Sequence, residues 1–549
     1  MLWDELLRPE ILARTTWEWD GSTFVRGSYG EMVAKARHSA AALRKRGIGP
    51  GSIVAAVLTN GVDVIPGYLG AWFAGATVAS LPIIARGMSI PRYVKQLDEL
   101  CATVGAQCLL AEERFLAFMS DDSQLAVDAL GYRSLIENAT GAPLEPPNLN
   151  DTVFIQFSSG TTGEPRGVEL TGTAIEMQLR ALAQRLGMDA ARDYGYMWLP
   201  LSHDMGFFGC FLLSWFSGIG GAKGTPERFL QSPRTWFDDC ARFGATVTAG
   251  PPFALSFAAR AERRGRPGQP VKIRLCLVGA EHVEWGILAD AAQAFSPRGL
   301  TLDALTPAYG LAEATLAVTV DALESTPKVL DLDPDALAAG EVRIVDPDLP
   351  RARRLVSAGT ALHGSRVRSD PATQEIVVTS ASLASGYFGN PHATRERFCD
   401  GELWTRDLGF LQDGELFITG RCDDTVNFAG RNVYVHELEE RLSRQTGVRR
   451  GNLAIVSNIL ALPGRIAAVA ELETDSVDTR ELAVRLRRAA MSAIGLPLSE
   501  FLFVARGTFP KTPSGKVQRF RCRELLGASD VGQRVTLGAG PRTMSHEHG

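Results

Sequence analysis

Short apolar runs rich in β-branched residues alternate along most of the chain with stretches of helical spacing. The first such unit runs from a strand-like segment at 53–58 (IVAAVL) through a helical stretch at 63–74 to a second strand-like segment at 77–82. Strand character returns, with helical stretches between, at 246–249, 275–278 and 302–305. Strands separated by helices usually pair in parallel, and helices then cover the sheet. The pattern therefore predicts an α/β fold with several mostly parallel sheets.

The C-terminal part of the chain departs from this pattern. A chain of 549 residues exceeds what one hydrophobic core supports, so we expect two or more domains. After about residue 421 the sequence has short strand-like runs at 453–456, 466–472 and 501–504. It also has two amphipathic helical stretches, at 435–444 and 479–494. We predict a large N-terminal domain at 1–420, a small α+β domain at 421–526, and a flexible tail rich in Gly and Ser at 527–549.

Composition excludes several classes of protein. The chain is 45% hydrophobic, with a formal net charge of −5 and a pI near 6.0, so electrostatics do not favour a nucleic-acid partner. The eight cysteines form no CxxC pair, which argues against a cysteine metal site or a disulfide framework. The N-terminus lacks a signal-peptide pattern, and the uncharged stretch at 205–222 is diluted by Gly and Ser. We therefore predict a cytoplasmic protein in which 205–222 is a buried helix.

The run at 154–172, FIQFSSGTTGEPRGVELTG, carries the strongest chemical signal. An apolar strand leads into hydroxyl-bearing residues and glycines: Ser158, Ser159, Gly160, Thr161, Thr162 and Gly163. Glycines let backbone N–H groups approach an anion closely, and Arg166 adds a positive charge. A surface turn is the alternative, but it would not require so many donors beside a buried strand. We predict a polyphosphate-binding loop, which is not a Walker A loop because the GK[ST] ending is absent.

This loop resembles the phosphate loop of the adenylate-forming superfamily, which includes acyl-CoA synthetases, fatty acyl-AMP ligases and peptide-synthetase adenylation domains. Further stretches resemble that superfamily in the same order: 198–209 (WLPLSHDMGFFG), 278–281 (VGAE), 307–316 (PAYGLAEATL), 403–432 (ending GRCDDTVNFAGRN) and 510–519 (PKTPSGKVQR). They are spread over nearly the whole chain. The resemblance implies a large domain that binds ATP and the acid, and a small domain that swings.

The resemblance also implies a role for each matched position. The catalytic residues would be Lys516, Arg166 and His203. ATP and AMP would be bound by 158–163 together with Gly279, Ala280, Glu281, Tyr309, Gly310, Asp407 and Arg421. The acyl pocket would include His203, Asp204, Met205 and Gly206, the hinge would be Asp423, and Mg²⁺ would be held by Glu313 and Thr161. Tyr309 would stack on the base, and Asp407 would accept hydrogen bonds from the ribose hydroxyls with help from Arg421.

These residue types suit a reaction between two anions. A carboxylate attacks the α-phosphorus of ATP, and pyrophosphate leaves. The cations Arg166 and Lys516, the backbone donors and Mg²⁺ would neutralise the repulsion and the developing charge. No general base is needed because the carboxylate is already ionised. In the second step a thiol attacks the mixed anhydride and AMP leaves.

Several features resemble the fatty acyl-AMP ligase branch, whose members usually donate to the phosphopantetheine thiol of an acyl carrier protein. They include the spellings LPLSHDMG and YGLAEATL and the segment 327–361, which resembles an insertion that restrains the small domain. Against this branch, the connection at 363–378 is short, and GRCDD at 420–424 resembles the hinge of CoA-forming relatives. Two positions also depart from the pattern of the resembled proteins. The superfamily usually has lysine where this chain has Arg166, and the acyl-AMP ligase branch often has lysine at the hinge, where this chain has Asp423 followed by Asp424.

Three functions therefore remain open. The first is an acyl-AMP ligase that loads a carrier protein, the second is an acyl-CoA ligase, and the third is a degenerate member that performs one half-reaction. The apolar run after His203 favours an aliphatic or alicyclic acid. No nucleic-acid partner and no membrane span are expected.

Overall fold

A computed structural model describes residues 1–84, 88–117, 125–137, 141–158, 165–266, 268–338, 340–349, 352–422, 425–428, 431–457, 465–474, 476–494, 496, 498–511, 517–528 and 531–537. The α-helices are α1 (Leu2–Leu6), α2 (Pro9–Leu12), α3 (Tyr29–Arg44), α4 (Val64–Phe73), α5 (Ile90–Val104), α6 (Glu113–Ala117), α7 (Tyr132–Glu137), α8 (Gly172–Arg185), α9 (Leu213–Phe216), α10 (Pro226–Gln231), α11 (Thr235–Phe243), α12 (Pro252–Arg264), α13 (Trp285–Phe295), α14 (Pro334–Ala338), α15 (Pro391–Arg397), α16 (Val435–Ser443), α17 (Thr479–Ile494) and α18 (Arg519–Gly527). A π-helix spans Met205–Leu212, and short 3₁₀ helices span Ser296–Arg298, Leu302–Ala304 and Ala312–Ala314.

The strands are β1 (Thr15–Trp19), β2 (Phe24–Ser28), β3 (Ile53–Val57), β4 (Thr77–Leu81), β5 (Cys108–Ala111), β6 (Asp128–Gly131), β7 (Thr152–Ser158), β8 (Arg166–Thr171), β9 (Tyr194–Met197), β10 (Gly220–Lys223), β11 (Val247–Gly250), β12 (Leu275–Val278), β13 (Leu305–Gly310), β14 (Ala317–Val320), β15 (Val329–Leu332), β16 (Arg353–Val356), β17 (Thr360–Ala361), β18 (Ser365–Ser369), β19 (Glu375–Ser380), β20 (Gly386–Tyr387), β21 (Phe398–Cys399), β22 (Glu402–Gln412), β23 (Glu415–Arg421), β24 (Thr425–Phe428), β25 (Arg431–Tyr434), β26 (Val448–Val456), β27 (Ala467–Leu472), β28 (Glu500–Val504) and β29 (Gln533–Thr536).

One sheet has the strand order β20-β8-β7-β4-β3-β5-β6. Its strands β3 to β7 pair in parallel. Strand β8 pairs antiparallel with β7, and β20 pairs antiparallel with β8. Helices cover both faces: Val54 and Ala56 belong to a core that includes α3 and α4, while Ala55 and Val57 belong to a core that includes α5. A strand buried on both sides needs apolar side chains at every position. That requirement accounts for the uninterrupted run at 53–58.

A larger sheet has the order β18-β19-β22-β23-β17-β14-β13-β12-β11-β9-β10-β1-β2. The strands from β1 through β10, β9, β11 and β12 to β13 pair in parallel. From β13 onward to β18 every pair is antiparallel, as is the pair of β1 with β2. The predicted α/β fold with flanking helices is therefore confirmed, and an antiparallel extension is added to its parallel part.

Two local predictions need correction. The strand predicted at 302–305 begins only at Leu305, because that residue is the first to pair with β12, and Leu302–Ala304 forms a 3₁₀ helix instead. The helix predicted at 205–222 ends earlier: the π-helix and α9 stop at Phe216, and the chain then enters β10. Gly218, at φ 67°, supplies the left-handed turn that ends the helical part. None of the described helices combines the length and the apolar composition that a membrane span requires.

The C-terminal part contains a separate sheet, β26-β27-β28-β29. Its hydrophobic cores are formed by residues from 435 onward, and they include the predicted apolar face of α17: Leu482, Leu486, Ala489 and Ala490. Within the tail predicted at 527–549, Gln533–Thr536 form β29 and pair with the edge of β28. Residues 538–549 lie outside the described residues. The boundaries at 420 and 526 stay predictions.

Candidate active site

A cavity of about 1850 Å³ opens where four parallel strands end. Its wall includes residues that follow the carboxyl ends of β9, β11, β12 and β13 or stand at them: Pro200, Pro252, Gly279 and Gly310. Ligands of open α/β sheets bind at this edge. Most of the predicted site residues line this cavity: Arg166, His203, Asp204, Met205, Gly279, Ala280, Glu281, Tyr309, Gly310, Glu313, Asp407 and Arg421.

The other predicted site residues fall elsewhere. Gly206 does not line the cavity, and a Cβ at its position would lie 2.2 Å from the backbone oxygen of Pro200. Its glycine is thus needed for close backbone packing. Ser158 is the last residue of β7. The loop positions Ser159, Gly160, Thr161, Thr162 and Gly163, the hinge Asp423 and the lysine Lys516 lie outside the described residues.

Tyr309, Asp407 and Arg421 form one hydrogen-bonded group. Asp407 on β22 pairs across the sheet with Arg421 on β23, whose Nε lies 3.3 Å from Asp407 Oδ1. Tyr309, on β13, donates its hydroxyl to Asp407 Oδ2 at 2.6 Å. Burial, reinforced by the nearby carboxylate, holds the pKa of Tyr309 well above its ordinary value, so the hydroxyl stays protonated and donates. The group fixes a buried carboxylate at the cavity wall with lone pairs left to accept further hydrogen bonds.

Tyr309→Phe is expected to weaken AMP binding about tenfold. The hydrogen bond that orients the Asp407 carboxylate is lost, while the aromatic ring remains. Calorimetric titration with AMP measures the effect. Tyr387→Phe is the matched control, since it removes a hydroxyl that Glu313 accepts on another part of the cavity wall. Equal losses of AMP affinity in both variants would contradict the assignment of Asp407 to the nucleotide.

Glu313 has a partner that the sequence did not reveal. The hydroxyl of Tyr387 donates to Glu313 Oε1 at 2.6 Å, and the Arg166 guanidinium carbon lies 5.4 Å from the centre of the Tyr387 ring. Burial raises the pKa of Tyr387 above its ordinary value, and Glu313 adds to the shift. Tyr387 thus joins the phosphate-loop strand β8, with which β20 pairs, to the carboxylate predicted to hold the metal. Its neighbours in the sequence carry no motif that could have identified it.

His203 and Asp204 stand at the start of the π-helix. His203 Nδ1 lies 2.6 Å from Asp204 Oδ1, and the Met205 N–H donates to the same carboxylate oxygen at 2.6 Å. The acidic side chain at the N-terminus of the π-helix balances the partial positive charge of the exposed N–H groups. His203 and Asp204 are both partly exposed to the cavity. The pair is therefore placed to contact a ligand that enters between the sheet and the π-helix.

The segment after β12 brings backbone close to the cavity. A Cβ at Gly279 would lie 2.8 Å from the oxygen of Ala308, and Ala280 has φ 66°, in the left-handed region. Glu281 follows and affects a second residue that the sequence analysis missed, Lys511. Burial lowers the pKa of Lys511, and the carboxylates of Glu281 and Glu471 oppose that shift. Since Lys511 and Glu281 both line the cavity, the C-terminal part contributes to the same site.

The segment predicted to carry the catalytic lysine starts and ends at the cavity wall. Lys511 and Val517 form an isolated antiparallel bridge, and both line the cavity. Lys516, between them, lies outside the described residues. Arg519 also lines the cavity and forms an ion pair with Glu439. The stretch 510–519 therefore reaches the site that the sequence predicts for it, while the role of Lys516 stays a prediction.

The described residues contain no group of three or more His, Cys, Asp or Glu side chains that could hold a metal ion by themselves. That arrangement fits Mg²⁺ all the same, because Mg²⁺ at nucleotide sites usually has one or two carboxylates and completes its shell with phosphates and water. Glu313 lines the cavity and offers such a carboxylate. The metal role of Glu313, and that of Thr161, stays a prediction.

Comparisons with known proteins identify solved structures of the same fold. In solved structures, the chain resembles a fatty acyl-adenylate ligase from a study of the E. coli and L. pneumophila enzymes (TM-score 0.87, 23% identity, 96% of this chain and 98% of that one). It also resembles McyG A-PCP complexed with phenylalanyl-adenylate (TM-score 0.82, 19% identity, covering 96% of this chain and 83% of that one). These likenesses show the fold.

Curated relatives extend over nearly the whole chain. A putative ligase, Rv1013, of Mycobacterium tuberculosis is 28% identical over 90% of this chain and 94% of its own length. The medium-chain-fatty-acid–[acyl-carrier-protein] ligase JamA of Moorena producens is 28% identical over 90% of this chain and 89% of its own length. The family described as AMP-binding enzyme matches residues 14–388, which is most of the chain. The chain therefore belongs to the family of AMP-binding enzymes, and its prediction as an adenylate-forming ligase is confirmed.

Proposed function

We propose that this enzyme activates a carboxylic acid with ATP as its acyl-adenylate, releases pyrophosphate, and passes the acyl group to the phosphopantetheine thiol of an acyl carrier protein. One observation carries the proposal. A single cavity brings together the Tyr309–Asp407–Arg421 group, the Glu313–Tyr387–Arg166 group, and the start of the π-helix at His203. A nucleotide, its phosphates and an acid each need one of these three parts.

The nucleotide end is assigned by hydrogen-bonding chemistry. Asp407 offers acceptor lone pairs to the two ribose hydroxyls, and Arg421 pairs with the Asp407 carboxylate through Oδ1. Tyr309 offers a ring face for the base, and the segment 279–281 lines the same cavity. Mg²⁺, held by Glu313 and Thr161, would supply charge neutralisation at the phosphates. Arg166, the loop 158–163 and Lys516 would add the remaining positive charge and donors around the α-phosphate.

The acid end lies along the π-helix. The wall after His203 and Asp204 is mostly apolar, with Met205, Gly209 and Leu316 among its residues. Such a wall favours an aliphatic or alicyclic acid. His203 would contact the carboxylate that attacks, at the boundary between the polar and apolar parts of the cavity.

A carrier-protein thiol is the favoured acceptor. Relatives similar over most of their length are described as fatty-acid–[acyl-carrier-protein] ligases. The segment 327–361 forms the hairpin β15–β16 with α14, and α14 contacts β25 in the predicted small domain. A contact between these parts supports a restraint on the swing. The alternative acceptor is CoA, since one relative is described as a putative acyl-CoA synthetase.

The test has two parts. Pyrophosphate exchange over a panel of carboxylic acids identifies an activated acid, and mass spectrometry then measures thioester formation with phosphopantetheinylated carrier protein and with CoA in parallel. The carrier without its phosphopantetheine arm is the control. We expect thioester on the modified carrier only. Efficient formation of acyl-CoA would show that CoA is the acceptor. Formation of acyl-AMP without any thioester would show that the enzyme performs only the first half-reaction.

Asp423→Pro is expected to leave adenylation nearly unchanged and to abolish thioester formation. In the proposed cycle, the domain at 421–526 swings about Asp423 between the two half-reactions, and a proline there fixes φ near −65° and removes an N–H. Asp423→Ala is the control, because it removes the same side chain but leaves φ free and keeps the N–H. Pyrophosphate exchange and thioester yield, measured on the same preparations, separate the two steps. Normal thioester formation in Asp423→Pro would show that the hinge lies elsewhere.

A further inference from the structure

We propose that a second chamber behind the acyl wall receives the far end of the acid and favours tails that carry a hydroxyl or carbonyl oxygen. The inference rests on the proposed function, because it names the class of acid that the same site activates. It assigns a specificity role to Thr16, Glu18 and Lys223, which lie far along the sequence from the predicted acyl-pocket residues.

The chamber is a cavity of about 50 Å³ between the π-helix and the strands β1, β10, β9, β11 and β12. Gly209, Ala249 and Leu277 line both this chamber and the main cavity. At these positions a single residue separates the two spaces. At Gly209 that residue has no side chain. The volume suffices for about three or four water molecules, or for the last few heavy atoms of an acyl tail.

Small residues keep this space open. A Cβ at Gly195 would lie 3.0 Å from Ser214 Oγ, and a Cβ at Gly221 would lie 3.3 Å from the oxygen of Gly195. Any larger side chain at these two positions would occupy the chamber or push its wall. Larger side chains, Tyr196 on β9 and Val247 on β11, also line the chamber. A chain end that passes Gly209 would enter at this point.

Part of the chamber wall is polar, which an alkyl tail alone would not require. Thr16 is 4% exposed, and its Oγ1 has no hydrogen-bond partner among the described residues. Lys223 is 5% exposed; its Nζ lies 2.6 Å from Glu18 Oε1 and donates to the oxygen of Gly61 at 3.2 Å. These are the two contacts that Lys223 Nζ makes among the described residues.

The polar groups face the same side of the sheet. β1 and β10 pair in parallel with Thr16 opposite Gly221 and Glu18 opposite Lys223. Residues two apart on a strand share a face, so Thr16, Glu18 and Lys223 project together. A buried hydroxyl without a partner destabilises the fold. A ligand oxygen in the chamber would accept from Thr16 Oγ1, whereas a methyl end would leave that hydroxyl unsatisfied.

The test compares matched acids on the full-length enzyme. Straight-chain acids from short to long are assayed by pyrophosphate exchange in three forms: unsubstituted, ω-hydroxy and (ω−1)-oxo. We expect one oxygenated form to exceed the unsubstituted acid of equal length in kcat/KM at the optimal length. The form preferred distinguishes a hydroxyl from a carbonyl. Higher kcat/KM for the unsubstituted acid at every length would overturn the inference.

Thr16→Val removes the hydroxyl while keeping the shape, and a buried hydroxyl without a partner can be lost without harm to folding. We expect the preference for the oxygenated tail to fall about three- to tenfold, the usual worth of one hydrogen bond. Thr306→Val is the matched control: Thr306 is also buried, its Oγ1 also has no partner among the described residues, and it lines neither cavity. An equal fall in both variants, or none in Thr16→Val, would contradict the proposal.

Ser214→Leu fills the chamber and provides a second readout. We expect the optimal chain length to shorten while short acids are activated at the usual rate. An unchanged length optimum would show that the tail does not reach the chamber. If no acid in any form supports pyrophosphate exchange, the proposed function itself fails; if acids are activated without regard to the tail, only this inference fails.

Discussion

Lys516→Ala is expected to slow acyl-adenylate formation by about 10²–10³-fold, the loss that follows removal of one preorganised donor to a developing charge. The bridge between Lys511 and Val517 brings both ends of the segment to the cavity wall. We predict that Lys516, which lies between them in the sequence, acts at the α-phosphate, where two anions meet. ATP affinity should change little, because the lysine acts on the charge that develops during the reaction. Single-turnover formation of acyl-AMP measures the rate, and calorimetry measures the affinity.

Two controls make this prediction specific. Lys516→Arg keeps the charge but changes its shape, so a partial rate is expected. Thioester formation from acyl-AMP supplied directly to Lys516→Ala should proceed, because the lysine is assigned to the first step only. Adenylation at the normal rate in Lys516→Ala would show that the stretch 510–519 has been assigned wrongly.

Glu313→Gln is expected to raise the Mg²⁺ concentration that supports half-maximal adenylation by about tenfold or more, because a carboxylate that binds Mg²⁺ becomes a neutral amide. The amide oxygen can still accept from Tyr387, so the local structure should persist. Binding of AMP, which lacks the β- and γ-phosphates, should be nearly unaffected. Titration of pyrophosphate exchange with Mg²⁺, alongside calorimetry with AMP, measures both effects.

Tyr387→Phe is the companion variant. It removes the hydroxyl that donates to Glu313 and leaves the carboxylate, so a smaller increase in the required Mg²⁺ is expected than for Glu313→Gln. Losses of AMP and ATP binding that are equal in Glu313→Gln would indicate that Glu313 supports the structure of the site and does not bind the metal.

Local sequence carries much of the fold because burial imposes patterns on it. The run at 53–58 is apolar throughout since β3 is covered on both faces, and the apolar face of α17 follows helical spacing. Failures occurred where partners decide the outcome. The strand near 302–305 starts where β12 offers a hydrogen-bonding edge, and Gln533–Thr536 forms a strand because β28 has an edge to pair with. Neither edge is visible in the local residues.

The sequence by itself determined the class of enzyme, through the motifs and their order along the chain. Tertiary structure alone decided which side chains meet. Tyr387 lies 74 residues from the Glu313 carboxylate that it contacts, and Tyr309 lies 98 residues from Asp407. Thr16, Glu18 and Lys223 likewise come together because β1 and β10 pair. Motifs record residues that are close along the chain, whereas contacts across a sheet depend on strand order and register, which arise from packing of the whole chain.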